Sequence, residues 1–213
     1  MKVDVVRNIL EANDAVAAEL NADLTARGIL SLNLMSSPGS GKTTLLERTL
    51  TDLKNEFSMA VIEGDCQTEN DARRVAATGA RAVQINTAGG CHLDSSMVRD
   101  AAASMGLDGI DILVVENVGN LVCPAEFSVG EDYKVTILSV TEGDDKPEKY
   151  PFIFAESKVM ILNKVDLLPY VNFSVERASA FARSVNKDIE IFTLSATTGQ
   201  GMDAWYDWLR RER

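Results

Sequence analysis

The chain has 213 residues, 46% of them hydrophobic, which suits one α/β domain with a sizeable core. Its formal net charge of −11 argues against nucleic acid as the main partner, because phosphate backbones are bound by basic surfaces. It leaves nucleotide binding open, since a single loop can reverse the local sign. No apolar run is long enough to span a membrane, and Asp4 and Arg7 interrupt the first turns, so neither a membrane segment nor a signal peptide is predicted. Cys66, Cys91 and Cys123 read as free thiols in a reducing, cytoplasmic setting.

Val6, Ile9, Leu10, Val16, Leu20 and Leu24 recur at helical spacing, so residues 3–27 are predicted as a leading helix, stopped at Gly28 by a left-handed residue. Short runs rich in Val, Ile and Leu follow at 29–35, 59–63, 82–85, 110–116, 134–140, 159–163 and 189–194. Helical patterns lie between them at 43–57, 70–78 and 174–186, with a last helix at 202–211 carrying Trp205, Trp208 and Leu209 as core anchors. Alternating strands and helices predict a mostly parallel sheet flanked by helices on both faces. No linker divides the chain, so residues 1–213 are read as a single domain, with 1–28 packed on it.

The first strand runs into Ser36-Ser37-Pro38-Gly39-Ser40-Gly41-Lys42-Thr43-Thr44, and a helix begins directly afterwards. Strand, glycine-rich turn and helix N-terminus form the context of a phosphate-binding loop, whose inward N–H groups and helix dipole attract phosphate. Gly39, Ser40, Gly41 and Thr44 would line the phosphates, Lys42 would reach the β- and γ-phosphates, and Thr43 would ligate Mg²⁺. The pattern usually opens on glycine, and Ser36 stands there instead; it fits if its φ stays negative. Asp65, in a run that reads as a switch loop, is the second Mg²⁺ candidate.

Asn163-Lys164-Val165-Asp166 closes a later strand. The carboxylate of Asp166 can accept from both N1–H and the 2-amino group of guanine, a donor pair adenine lacks. The stem of Lys164 can lie along the base. Ser195-Ala196-Thr197 stands where nucleotide hydrolases of this kind place a Ser-Ala-Lys loop, so Ser195 and Ala196 carry over while Thr197 departs. GTP, rather than ATP, is the predicted substrate. His92 is the only histidine; it follows Cys91, and Cys123 comes later. Such a set suits Zn²⁺ or Ni²⁺ and leaves one tetrahedral position for water or a group from a second copy.

Taken together, these stretches resemble the hydrogenase nickel-incorporation GTPase (HypB) family of the SIMIBI class. The likeness also includes Glu63-Gly64-Asp65, Gly90-Cys91-His92-Leu93, Glu116-Asn117-Val118-Gly119-Asn120-Leu121-Val122-Cys123-Pro124 and the run Ser139 to Pro147. It implies GTP hydrolysis to GDP, dimerisation with bound nucleotide, and delivery of nickel to the large subunit of a [NiFe] hydrogenase alongside a nickel-maturation partner protein. It assigns Cys91, His92 and Cys123 as metal ligands, and Glu116 with Gly119 to the place of the Asp-x-x-Gly switch. Gly119 would sense the γ-phosphate through its N–H. Asp65, Asp71 and Glu116 are candidates for positioning the attacking water, and Lys146 or Lys149 for reaching nucleotide across a dimer. The N-terminal cysteine motif and histidine-rich tract of some members are not found in this sequence, so nickel storage is not expected. The sister urease-maturation GTPase carries Cys-Pro-His, which this chain does not match. A P-loop small-molecule kinase and a non-catalytic, nucleotide-gated metal-binding module are the readings from other classes.

Overall fold

The computed structural model describes the backbone of residues 5–65 and 70–213 and the side chains of residues 8–64, 71 and 73–213. Among the described residues the strands are β1 Leu30–Ser36, β2 Met59–Asp65, β3 Arg81–Asn86, β4 Ile112–Glu116, β5 Tyr133–Ser139, β6 Val159–Asn163 and β7 Glu190–Thr193. They form one sheet in the order β3-β2-β4-β1-β5-β6-β7. Every neighbouring pair is parallel. A parallel sheet needs a crossover between successive strands. Five of the six crossovers run through α2 Lys42–Leu53, α3 Asn70–Ala77, α4 Ser95–Met105, α7 Pro151–Glu156 and α8 Val175–Val185, and the sixth, from β4 to β5, through a loop with one short helical turn, while α1 Val5–Ala26 precedes the sheet and α9 Met202–Glu212 follows it.

The expected elements are all present, with shifted ends. The helix expected over 43–57 stops at Leu53, because the N–H groups of Glu56 and Phe57 both turn back onto the Leu53 carbonyl. Ile110 lies ahead of β4 in a turn, bonded to Leu107. Gly28 does end the first helix at positive φ, 67°. Helix α4 had no periodic signal, since Ala101, Ala102 and Ala103 give its middle no apolar stripe. The short helices α5 Cys123–Glu126 and α6 Lys146–Lys149, like α7, begin with proline in the first turn and are too brief for periodicity to reveal.

Alternation along β1 sorts the core. Leu30, Leu32 and Leu34 pack with Leu45 and Leu46 of α2 and with Trp205 and Trp208 of α9. On the other face two apolar clusters stay apart. One joins Leu20 and Leu24 of α1 to Val98 and Ala102 of α4 and to Leu113 and Val115. The other joins Phe154, Ala178 and Ala182 to Leu138, Met160 and Leu162. At the seam between them β1 presents Ser31 and Asn33, both buried. Truncating Trp208, which is 1% exposed, would cost about 3–5 kcal/mol. Because all strands run the same way, the loops that follow them gather at one edge, where ligands of such sheets bind.

Candidate functional site

The phosphate loop joins β1 to α2. Gly39 and Gly41 sit at φ 79° and 95°, which residues with a Cβ rarely adopt. A Cβ on Gly41 would stand 2.6 Å from Asn163 Nδ2, so glycine is required there on two counts. Ser36 remains in the strand and is absent from the positive-φ positions, as its tolerance demanded. Its hydroxyl accepts from Lys42 Nζ at 2.9 Å and donates to the Ser37 carbonyl at 2.7 Å. Ser40 donates to Glu142 Oε1 at 2.6 Å, and Ser139 N–H donates to the same oxygen at 2.9 Å, so a carboxylate from the loop after β5 braces the turn.

Thr43 donates to Glu116 Oε1 at 2.7 Å, and Glu116 Oε2 is buried with no hydrogen-bond partner among the described residues. A hydroxyl beside an unsatisfied buried carboxylate at the head of a phosphate loop fits a hard divalent cation such as Mg²⁺. Burial raises Glu116 above the ordinary carboxyl value, and Lys42 and the Thr43 bond oppose it. Burial also lowers Lys42, against the carboxylates of Glu116, Asp71, Glu142 and Glu63. The arrival of phosphate would favour the ammonium further. These groups open on a cavity of about 530 Å³ lined by Gly39, Lys42, Thr43, Thr44, Asp71, Arg74, Glu116, Gly119 and Lys164 among others. Gly119 abuts the loop: a Cβ there would lie 3.0 Å from Pro38 N, Cα and Cγ. Arg74, which the sequence did not single out, donates to Thr44 Oγ1 at 3.1 Å and bridges Glu47 and Asp71. The side chain of Asp65, with Cys66 and Gln67, lies outside the described residues.

On the far side of the loop, Asn163 braces the phosphate turn. Its Nδ2 donates to Ser40 O at 3.0 Å, and its Oδ1 accepts from Lys164 N at 2.8 Å and Ala196 N at 3.1 Å. Lys164 takes φ 63° and its Nζ donates to Gly39 O at 2.6 Å. Ser195 is fully buried and its Oγ accepts from Thr198 N at 3.2 Å, which shapes the turn beyond β7. Asp166 Oδ1 is buried with no partner among the described residues, as befits an acceptor kept for a ligand.

Cys91, His92 and Cys123 form the cluster the spacing left uncertain: their ligand atoms all lie within 4.8 Å of one another. The two Sγ atoms are 3.1 Å apart and Cys91 Sγ is 3.5 Å from His92 Nδ1. Thiolates on a tetrahedral ion, each about 2.3 Å from it, stand about 3.8 Å apart, so binding would open the pair slightly. Burial lowers His92, which favours the neutral, ligating imidazole. The bond with Cys91, then burial, raises Cys123 above the ordinary thiol value. Two neighbours escaped the sequence reading. Phe127 stacks on the His92 ring with centroids 4.0 Å apart, and Asn120 donates to Cys91 O at 3.3 Å. Lys146 lies over the Tyr150 ring and Lys149 pairs with Asp145 at 2.6 Å, so both are held within their own loop.

A parallel sheet whose phosphate loop and Asn-Lys-x-Asp loop share one edge defines a P-loop nucleotide-binding protein of the SIMIBI class, here with a Cys-His-Cys cluster beside the switch. The nucleotide-binding domain of the CobW/HypB/UreG family matches residues 31–193. The hydrogenase maturation factor HypB of Escherichia coli K12 is 57% identical over 211 residues, 99% of this chain and 73% of that protein. A crystal structure of HypB from Helicobacter pylori in complex with nickel superposes with a TM-score of 0.89 at 39% identity, covering 94% of each chain. HypB from Archaeoglobus fulgidus does so with a TM-score of 0.87 at 38% identity, over 94% of this chain and 98% of that one. The chain therefore belongs to the HypB branch of the CobW/HypB/UreG family.

Proposed function

We propose that this protein is a GTP-hydrolysing maturation factor that dimerises with bound nucleotide and hands nickel toward a [NiFe] hydrogenase. The observation that carries the reading is the meeting of three devices on one edge: a phosphate loop, a guanine-reading carboxylate and a Cys-His-Cys cluster, joined by residues 116–123. The Helicobacter pylori relative in complex with nickel supports nickel as cargo; Zn²⁺ suits the same ligands. Residues 1–213 act as one domain, with α1 as part of it, and work in the cytoplasm. No described helix is long and apolar enough to cross a membrane.

The backbone of Gly39 to Thr44 cradles the phosphates, and Asp166 reads the base while Asn163, Lys164, Ser195 and Ala196 hold its loop. Water attacks the γ-phosphorus, the bond to the β–γ bridging oxygen breaks, and Lys42 stabilises the charge that builds on the leaving GDP. Thr43, with Asp65 as the second candidate ligand and Glu116 bonded to the Thr43 hydroxyl, would hold Mg²⁺, which would supply further neutralisation of the phosphate charge. Gly119 N–H contacts the γ-phosphate, and Asp65, Asp71 or Glu116 orients the water. Steady-state turnover of GTP and ATP by purified protein tests this, with nickel titration and mass by light scattering in each nucleotide. GTP-selective turnover that is lost in Lys42→Ala supports the reading. Equal turnover of ATP and GTP, or near-normal turnover in Lys42→Ala, would sink it.

A further inference from the structure

A hydrogen-bonded chain of buried side chains runs beneath the metal cluster, along the seam where β1 turns Asn33 away from its leucines. Asn117, which follows β4 and is fully buried, lies at its centre. Its Oδ1 accepts from Leu93 N at 3.1 Å and from Val118 N at 2.9 Å. With the oxygen so engaged, the amide must donate, and Nδ2 does so to Asn33 Oδ1 at 3.2 Å. Asn33 Nδ2 donates in turn to Glu131 Oε1 at 3.3 Å, and Glu131 Oε2 accepts from Val129 N at 2.6 Å. Lys134 Nζ stands 3.9 Å from Glu131 and donates to Ala125 O at 2.8 Å, within the helical turn that Cys123 begins.

The chain therefore touches both segments that carry ligands. Leu93 is the residue after His92, and Ala125 is in the turn of Cys123. Between them it holds Val118, the residue before Gly119. Leu93 is also locked on its other side, because a Cβ on Gly64 of β2 would lie 2.8 Å from its side chain. Two asparagines in a strand-lined interior cost stability unless fully bonded, and an apolar residue would serve the sheet as well. Their bonding makes them a stiff, directional connection. If Val118 N moves with Gly119, the Asn117 carbonyl must follow it or release it, and Leu93 N hangs on the same oxygen.

We propose that Asn117 is the positioning residue through which the nucleotide sets the geometry of Cys91 and His92, with Asn33, Glu131 and Lys134 extending the constraint to Cys123. This rests on the proposed binding of both nucleotide and metal, and adds the side chains that connect them.

The test is Ni²⁺ affinity measured with GDP and with a non-hydrolysable GTP analogue, in wild type, Asn117→Ala, Asn33→Val and Asn117→Asp. In wild type the two affinities should differ by about fivefold or more, and nickel should shift analogue affinity relative to GDP by the same factor. In Asn117→Ala the ratio should collapse toward one while one metal per chain still binds. Asn117→Asp keeps the two accepted N–H bonds but loses the donation to Asn33, so it should shrink the ratio as Asn33→Val does, and less than Asn117→Ala. A purely structural role would weaken binding in both nucleotide states alike and leave the ratio intact. Asn33→Val, which leaves Leu93 and Val118 bonded and suits a strand, should shrink the ratio and carries the test if Asn117→Ala does not fold. A wild-type ratio in Asn117→Ala, or in Asn33→Val, would overturn the proposal, as would a ratio of one in wild type. GTP turnover in the same samples reports separately on the proposed function.

Discussion

Replacing Gly119 by alanine isolates the contact between the switch and the phosphate loop. Gly119 is not among the positive-φ glycines, so its backbone accepts alanine without strain; the obstacle is space. The new Cβ would meet three atoms of Pro38 at 3.0 Å, two of them backbone, where ordinary contact begins at 3.4 Å. Pro38 belongs to the loop whose brace runs through Glu142 and Asn163, so the 118–120 turn must yield, by about half an ångström. A group held off its target by distances on the order of 1 Å loses about 100-fold in rate, and losing an anion-stabilising N–H costs about 100- to 1,000-fold. Single-turnover GTP hydrolysis should therefore fall by about 100-fold. GDP, which has no γ-phosphate for this N–H, should bind almost as before. Rapid-quench hydrolysis beside fluorescent GDP titration measures both. Hydrolysis within about twofold of wild type, with the variant folded, would refute the placing of Gly119 against the γ-phosphate.

Asp166→Asn should weaken guanine nucleotides and favour xanthine nucleotides, which carry a carbonyl in place of the 2-amino group; competition binding with the two diphosphates decides it. Asn163→Ala removes three hydrogen bonds and leaves Ala196 N and Ser40 O without their partner, so denaturant unfolding should show a loss of about 3 kcal/mol. Cys91→Ala with Cys123→Ala should abolish stoichiometric Ni²⁺ binding in equilibrium dialysis, and unchanged stoichiometry would leave the thiols as packing residues. Nickel affinity should rise with pH across the neutral range. The bond with Cys91, then burial, holds the Cys123 thiol above its ordinary value, so its proton is still bound there and must leave when metal enters; acidification adds back that competitor. A flat profile between pH 6 and 8 would exclude thiolate ligation.

Strand positions and the phosphate and base loops could be read from the chain because each carries its own local signal: β-branched runs, glycines at left-handed turns, an Asn-Lys-x-Asp at a strand end. The metal cluster could not be read from spacing alone, since the 32-residue separation of Cys91 and Cys123 says nothing until β4 and the loops around it are folded. The family likeness supplied that pairing. The bonding of Asn33, Asn117, Glu131 and Glu142 was invisible for a related reason. A buried polar side chain is recognised by its partners, and theirs lie 84, 98 and 102 residues away. Helix α4 escaped because alanines satisfy helical propensity without marking a face.

Helix α1 bears on how this protein can be divided. The family match begins at residue 31, after this helix has ended. Yet Leu20 and Leu24 roof the cluster formed by α4 and β4, and a Cβ on Gly130 would strike Leu20 at 2.8 Å. Asn13 takes the Ser95 N–H at 2.9 Å and donates to Ser128 O at 2.8 Å, bolting the start of α4 to the segment that follows the metal turn. A fragment cut at the matched boundary would bare an oily floor directly beneath the ligand-bearing loops. Such a piece would be prone to clump and to lose metal, and its failure to bind nickel would report on the missing roof, not on the cysteines.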